Sequence, residues 1–429
     1  MTPAIPPSPD MPRRGQLTSW KQIAHHLNVS ERTAQNWELS RSLPVRRMPG
    51  PRGRVWADPV ELDAWLFSQE QTPIEFEPKP RRTRWPWPAL GALLAILLGG
   101  GWHLSRTPAP ASWRVQGKTI IVNDARDRDL WSFTLQPGQE IFDSTSPRQG
   151  WGFGPQFVDL DGDGHLEFLV PVSDPNIKPG SLLCFDVRGQ LRWTHILDTT
   201  ASVPGKSFGG PWLLRSVAPV PRSGAPGHHL ITVWSHRSQY PATVQLLDAD
   251  GGLLRQYWHS GHFGKVIVLP LGAQQRPHVI LSGISNGHRV GTLVVLDPQR
   301  FTGASREENA AYQILGHPDP VEAARLLFPR SRLNLASDHQ YNLPEAMVPE
   351  KDGFAVEVVE LRPPHEGIPS ASLFYDFGPR LDLRGIEPND GVHVFYGRRV
   401  KEANWPADAL ETDLATLKNL RYLTPWQGE

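Results

Sequence analysis

Four short apolar runs, each ending on an aspartate, constrain most of this chain: Ile120–Asp124, Leu182–Asp186, Val244–Asp248 and Leu293–Asp297. The aspartates are 62, 62 and 49 residues apart (124 to 186, 186 to 248, 248 to 297), and three of the runs continue through a turn to a tryptophan, at Trp131, Trp193 and Trp258. Eighteen residues before each of the last three aspartates stands another run, Phe168–Val172, Leu230–Trp234 and Val279–Gly283. A further one precedes each of those, around Phe157–Val158, Ser216–Val217 and Val266–Val268. Hairpin-linked strands repeating at this period predict an all-β, propeller-like domain of four-stranded antiparallel sheets. The 43 prolines and 38 glycines suit its many turns. Phe354–Leu361, Leu373–Phe377 and Val392–Tyr396 also read as strands, while Pro320–Phe328 reads as a short helix with proline at its start.

Between the first two strands of the earliest repeat lies Asp159-Leu-Asp161-Gly-Asp163-Gly-His165-Leu-Glu167. Carboxylates at positions 1, 3 and 5, the His165 carbonyl at 7 and a carboxylate at 9 match the demands of a hard cation, calcium before others. The alternative is an acidic turn without metal. Shifting by 62 puts Pro221, Ser223, Ala225, Gly227 and His229 at these positions, and shifting by 111 puts Pro270, Gly272, Gln274, Arg276 and His278 there, so the later repeats lack the ligands. The stretch WGFGPQFVDLDGDGHLEFLVPVS resembles an FG-GAP or VCBS repeat, the blade unit of integrin-like propellers. The resemblance implies a structural calcium ion in this loop. The alternate spacing suits a cation better than an acid/base pair, and no nucleophile elbow, P-loop or HExxH motif occurs. His259 and His262 have no Cys or acid cluster beside them in sequence, and His288 and His339 stand in predicted loops without a readable partner. A non-enzyme is expected.

Residues 11 to 56 hold nine Lys or Arg against two acids, in a chain whose 44 basic and 44 acidic residues otherwise balance. Ser19 with Gln22 forms a capping box opening one helix, Ser30 caps a second, and Asp58-Pro59 with Glu61 opens a third. Trp20, Trp37 and Trp65 are assigned to its core. Between the second and third helices, Leu43–Trp56 forms two extended runs about a Pro/Gly turn, carrying Arg46, Arg47, Arg52 and Arg54. This order is similar to the winged helix-turn-helix of the MerR and excisionase type. The resemblance implies that Arg32, Thr33, Gln35 and Asn36 read bases of double-stranded DNA and that the four wing arginines contact phosphate or the minor groove. The alternative is a small protein-interaction domain with a solvated basic face.

Trp85–Leu104 has no formally charged side chain over twenty residues. As a helix it would cross about 30 Å, and a single membrane span is expected, with a buried core helix as the alternative. Gly91 and Gly99–Gly101 are candidate close-contact points for a homodimer. Residues 1–16 carry no apolar leader, and the single cysteine, Cys184, excludes an intramolecular disulfide.

The predicted organisation is multi-domain: a disordered 1–16, a small α+β winged helix-turn-helix at 17–70, a linker at 71–84, one transmembrane helix at 85–104 and an all-β propeller-like domain at 105–429. The layout resembles ToxR-like sensors. That implies a bacterial inner-membrane regulator with a cytoplasmic DNA-binding end and an external domain meeting an unidentified ligand or protein. The second reading is a membrane-anchored surface binding or adhesion protein whose N-terminal domain is only a scaffold.

Overall fold

Contacts divide the chain into two units, Met1–Ala95 and Ile96–Glu429. The computed structural model describes residues 15–47, 55–70, 108–141, 154–174, 178–238, 240–362 and 369–428.

In the first unit, helices α1 (Trp20–His26), α2 (Glu31–Arg41) and α3 (Pro59–Glu70) surround a two-stranded antiparallel sheet that pairs Arg46 with Trp56 and Arg47 with Val55. Ser19 and Ser30 cap α1 and α2 by accepting from the backbone N–H groups of Gln22 and Thr33. Ile23, Leu27, Leu43, Val55, Ala57 and Leu62 form the core, with Trp20, Trp37 and Trp65 packed against it.

Among the described residues the second unit holds five larger, mainly antiparallel sheets and a two-stranded ribbon, Ala201–Val203 with Lys206–Phe208. The first sheet has three strands, Pro110–Gln116, Thr119–Asp124 and Asp129–Thr134. In the second, Gln156–Val158, Glu167–Asp174, Lys178–Phe185 and Leu191–His195 pair in order, and Glu140–Ile141 joins the far end of Glu167–Asp174. The third contains Trp212–Pro221, His228–His236, Ala242–Leu247 and Leu253–His259. The fourth contains Gly261–Leu271, Arg276–Ser285 and Val290–Leu296, and the fifth Leu343–Glu350, Gly353–Leu361, Ala371–Phe377 and Leu383–Pro388.

Successive side chains of a strand point to opposite faces, and in the central strands of the second, third and fourth sheets both faces are buried. In the second sheet Phe168, Val170 and Phe185 pack toward the first sheet, whereas Leu169, Leu182 and Cys184 pack toward the third. In the third, Leu230 and Trp234 face the second sheet, and Ile231, Val233 and Val244 face the fourth. The apolar runs of these sheets are uninterrupted because their central strands have no wet side, whereas in the fifth sheet Gly353–Leu361 alternates and leaves Ala355 and Glu357 part-exposed.

The recurring aspartates close the hairpins. Asp124 accepts from the backbone N–H groups of Arg126 (2.8 Å) and Arg128 (3.0 Å), Asp186 from Arg188 (2.9 Å) and Gln190 (2.8 Å), and Asp248 from Asp250 (3.0 Å) and Gly252 (2.7 Å). Asp297 accepts from Gln299 N–H at 2.9 Å. These are Asx turns, which hold the backbone as a turn without help from a second strand. The tryptophans then lock one sheet to the next. Trp131 lies on the Gly189 turn and Trp193 on the Gly251 turn, where a Cβ would sit 2.5 and 2.9 Å from the respective indoles. Trp193 also donates its ring N–H to the Ala249 carbonyl at 2.9 Å. Trp258 belongs elsewhere: the residue in register with Trp131 (opposite Val122) and Trp193 (opposite Cys184) is Arg255, opposite Leu246.

Segment 301–328 corrects the helix expected at 320–328. Gly303–Ala304 adds to the third sheet beside Tyr257 and Trp258, and Ala324–Leu327 returns to the fourth sheet beside Thr292–Val295. All four residues of Ala324–Leu327 are buried, so sheet pairing overrides the helical propensity of Glu322–Leu327. Inside, Arg325 donates to Glu307 Oε1 (2.8 Å) and the Arg306 carbonyl (2.8 Å). A single helical turn, α4 (Arg332–Leu335), leads into the fifth sheet. Val392–Tyr396, expected as strand, lies in helix α5 (Asp390–Glu402), because Asn389 caps it by accepting from Val392 N–H at 3.1 Å and its buried face takes Val392 and Tyr396 one turn apart. With α6 (Ala409–Leu417), α5 packs its apolar side into the core shared by the fourth and fifth sheets.

The expected fold class is corrected on two counts. Among the described residues strand outweighs helix by 46% to 16%, with little helical content of the winged helix-turn-helix kind. No helix among the described residues is long and apolar enough to cross a membrane, which overturns the single-pass localisation; Trp85–Leu104 lies outside the described residues.

Candidate functional site

The loop Asp159–Glu167 joins the first two strands of the second sheet. Gly162 and Gly164 take φ of +84° and +83°, a region open to glycine at little cost, and this folds the loop back over Asp159. Its carboxylate accepts from the N–H groups of Gly162 (2.7 Å) and Gly164 (3.1 Å). Carboxylate oxygens of Asp159, Asp161 and Glu167 lie within 4.8 Å of one another. Asp163 and His165 are exposed further along the loop, with the Asp163 carboxylate accepting from the His165 N–H at 2.7 Å.

The loop is built against the third sheet. A Cβ on Gly162 would sit 2.7 Å from Pro226, and one on Gly227 would sit 2.5 Å from the Leu160 carbonyl. His228 donates its backbone N–H to that carbonyl (3.0 Å), and its ring Nδ1 lies 2.8 Å from the Asp159 carbonyl.

Sequence reasoning missed Arg192. Its Nη1 donates to Asp161 Oδ2 (3.0 Å) and Glu167 Oε1 (2.8 Å), and its Nη2 lies 3.4 Å from Asp250. The only signal in the sequence is a basic residue immediately before Trp193. Glu167 is 3% exposed, and burial pushes its carboxyl above the ordinary value, against the Leu160 N–H that it accepts and with the repulsion of Asp161. Burial works against the Arg192 charge, but its bond to Asp161 and the field of Glu167 hold its pKa above the usual value. Three carboxylates and one guanidinium leave a formal charge of −2, which a hard dication would balance. An acidic cluster able to hold a metal is therefore present.

In the first unit, Arg32, Gln35 and Asn36 are exposed on α2, and Thr33 is half-buried with its hydroxyl 2.7 Å from Ser30 Oγ. Arg46 pairs with Glu61 at 2.8 Å and Arg47 with Glu38 at 2.7 Å; Arg52 and Arg54 lie outside the described residues. The expected DNA-binding transcriptional regulator is corrected here. The described wing cations are neutralised within the unit, and neither a DNA-binding feature nor a membrane-spanning one is shown.

A second polar group is buried between strands. Ser285 Oγ lies 2.9 Å from His288 Nδ1 and donates to Glu307 Oε2 at 3.0 Å, while His288 Nδ1 is 3.2 Å from that same carboxylate oxygen. Glu307 is held down to about 2: burial would raise it, but His288 and Arg325 overcome that. A serine–histidine–acid relay needs the serine and the acid on opposite imidazole nitrogens. Here both share Nδ1, so the group is read as a packed ion-pair knot. His259 is buried with its Nε2 2.8 Å from the Ile284 carbonyl and its ring stacked on Phe263, and His262 is held well below its usual pKa by burial and Arg215.

No protein-family model and no curated protein matches this chain. Among solved structures, one described as the Dos1 propeller aligns at 12% identity with a TM-score of 0.32, covering 65% of this chain and 58% of that one. A protein of unknown function from Bacteroides caccae aligns at 10% identity and a TM-score of 0.24, over 65% of this chain and 92% of that one. A mutant of the Synechocystis apocarotenoid oxygenase aligns at 13% and 0.24, over 65% and 68%. The structural neighbours of this chain thus include a propeller.

Proposed function

We propose that the strand-built unit is a non-catalytic binding module braced by a calcium ion, and that the N-terminal unit serves it as a scaffold. The observation that carries the metal part is the convergence of Asp159, Asp161 and Glu167 within 4.8 Å on a loop packed against the next sheet. Hard oxygen donors without a histidine ring or thiolate among the three favour calcium over a transition metal. The ion would tie Gln156–Val158 and Glu167–Asp174 together and fix the edge that meets the Pro226–Gly227 turn. Burial of the Ser285–His288–Glu307 group, with one imidazole nitrogen serving both partners, favours binding over catalysis.

The test is thermal unfolding of the full chain with calcium or with EGTA. Free calcium at about a hundredfold over its dissociation constant should stabilise the fold by about 2.7 kcal/mol, and Asp159→Asn should remove most of that response. Arg192→Met removes a competing cation and should tighten calcium. An unfolding midpoint indifferent to calcium in both wild type and Arg192→Met refutes the metal reading.

A further inference from the structure

A cleft of about 350 Å³ opens between the third and fourth sheets. It stands where the repeat places an indole between the earlier pairs of sheets. Trp131 and Trp193 plug those interfaces by lying on Gly189 and Gly251, three residues past Asp186 and Asp248. At the third interface the plug position is Arg255, and the residue three past Asp297 is Arg300 instead of glycine. With the indole replaced by a longer and thinner side chain, the interface stays open.

The cleft is also the repeat image of the acidic loop with its charge reversed. Asp161 and Glu167 correspond under the shift of 62 to Ser223 and His229, and Arg192 to Leu254, all three of which line the cleft. Arg276 comes from the opposite wall. Arg255 and Arg276 form no ion pair among the described residues. The one acid lining the cleft, Asp297, is already engaged by Gln299 N–H (2.9 Å) and Arg300 Nε (2.8 Å). His229 Nδ1 is buried with no hydrogen-bond partner among the described residues. Leu254 and Pro277 add apolar surface.

We propose that this cleft binds a small organic anion, its carboxylate, phosphate or sulfate held between Arg255 and Arg276 and its carbon skeleton against Leu254 and Pro277. Planar guanidinium forks suit oxyanions, and the charge of the cleft is positive by at least one once Asp297 is counted against two arginines. The inference rests on the binding reading above and names the ligand class, at a site separate from the cation loop.

Inorganic phosphate and phenyl phosphate are the probes, titrated calorimetrically into the full chain at constant ionic strength with chloride as the balancing ion. Saturable binding is expected, tighter for phenyl phosphate than for phosphate. Arg255→Met and Arg276→Met should each weaken it about tenfold or more, and Arg255→Lys should retain part of it. Both arginines reach solvent, so the unfolding midpoint should hold; if Arg255→Met does not fold, Arg276→Met and Arg255→Lys still decide. Absence of saturable binding by wild type, or equal affinity in the two methionine variants, overturns the proposal, and equal affinity for the two probes overturns the apolar contribution. The calcium response of the same samples reports on the loop, so a missing phosphate isotherm beside an intact calcium shift sinks only this inference.

Discussion

Glu360→Gln should make the fold more stable at neutral and alkaline pH while leaving it nearly unchanged in mild acid. Glu360 is 1% exposed, beneath the wedge that α5 and α6 fill. Ser331 donates to its Oε2 from both hydroxyl (2.7 Å) and backbone N–H (3.1 Å), and Asn342 donates to its Oε1 at 3.3 Å. Asp413 faces it from α6, Tyr396 from α5 and Tyr375 from the neighbouring strand. Burial dominates these bonds and pushes its pKa up to about 7 from 4.5. The folded state therefore holds this proton more tightly than the unfolded chain does. Its contribution is whole below about pH 4.5 and is lost as pH rises through 7, a loss of roughly 3 kcal/mol across that window. Glutamine keeps an acceptor toward Ser331 without ever ionising. Urea unfolding at steps from pH 5 to 8, read by tryptophan fluorescence, should show the two proteins close at pH 5 and the variant more stable by up to about 3 kcal/mol at pH 8. Parallel stability curves over that range would refute the buried-carboxylate argument.

Other expectations follow from the interfaces between sheets. Gly251→Ala should destabilise by roughly 1–3 kcal/mol, since its Cβ would sit 2.9 Å from the Trp193 indole at a φ of +78°. Pairing it with Trp193→Leu should recover part of the loss in a double-mutant cycle, and strict additivity would count against the contact. His259, driven down to about 3 by burial and the nearby Arg325 charge, favours the fold only while neutral. Stability should be whole above about pH 6.5 and fall as acid protonates the unfolded chain below that; His259→Gln should flatten this limb in acid unfolding monitored by circular dichroism. Arg325→Leu leaves Glu307 buried without its cation and should cost about 3–5 kcal/mol in urea; a loss below about 1 kcal/mol would mean that the knot is not closed in solution.

The strands of the second, third and fourth sheets were legible because each carries an unbroken apolar run ended by an aspartate whose turn geometry is local. The acidic loop was legible for the same reason: spacing and glycines act within nine residues. Part of what failed depends on partners distant in sequence. Ala324–Leu327 looks helical alone and becomes a strand because Thr292–Val295 offers an open edge. Val392–Tyr396 reads as β-branched and aromatic, yet the Asn389 cap and one buried face make it a helix. Trp258 mimics a third repeat tryptophan, yet it stands ten residues past Asp248, where Trp131 and Trp193 stand seven past their own aspartates. Arg192 could not be assigned to the loop from sequence, because 25 residues separate it from Glu167.

Residues 301–328 run from the fourth sheet to the third and back, pinned by pairing at Gly303–Ala304 and Ala324–Leu327 and by the Arg325–Glu307 contact. Such a strap acts as a fixed spacer. It ties the sheet that carries Arg255 to the sheet that carries Arg276, so little movement of the two walls would have to accompany capture of a guest. An anion entering there would meet a ready-made gauge, and selectivity would follow the size of the guest as much as its charge.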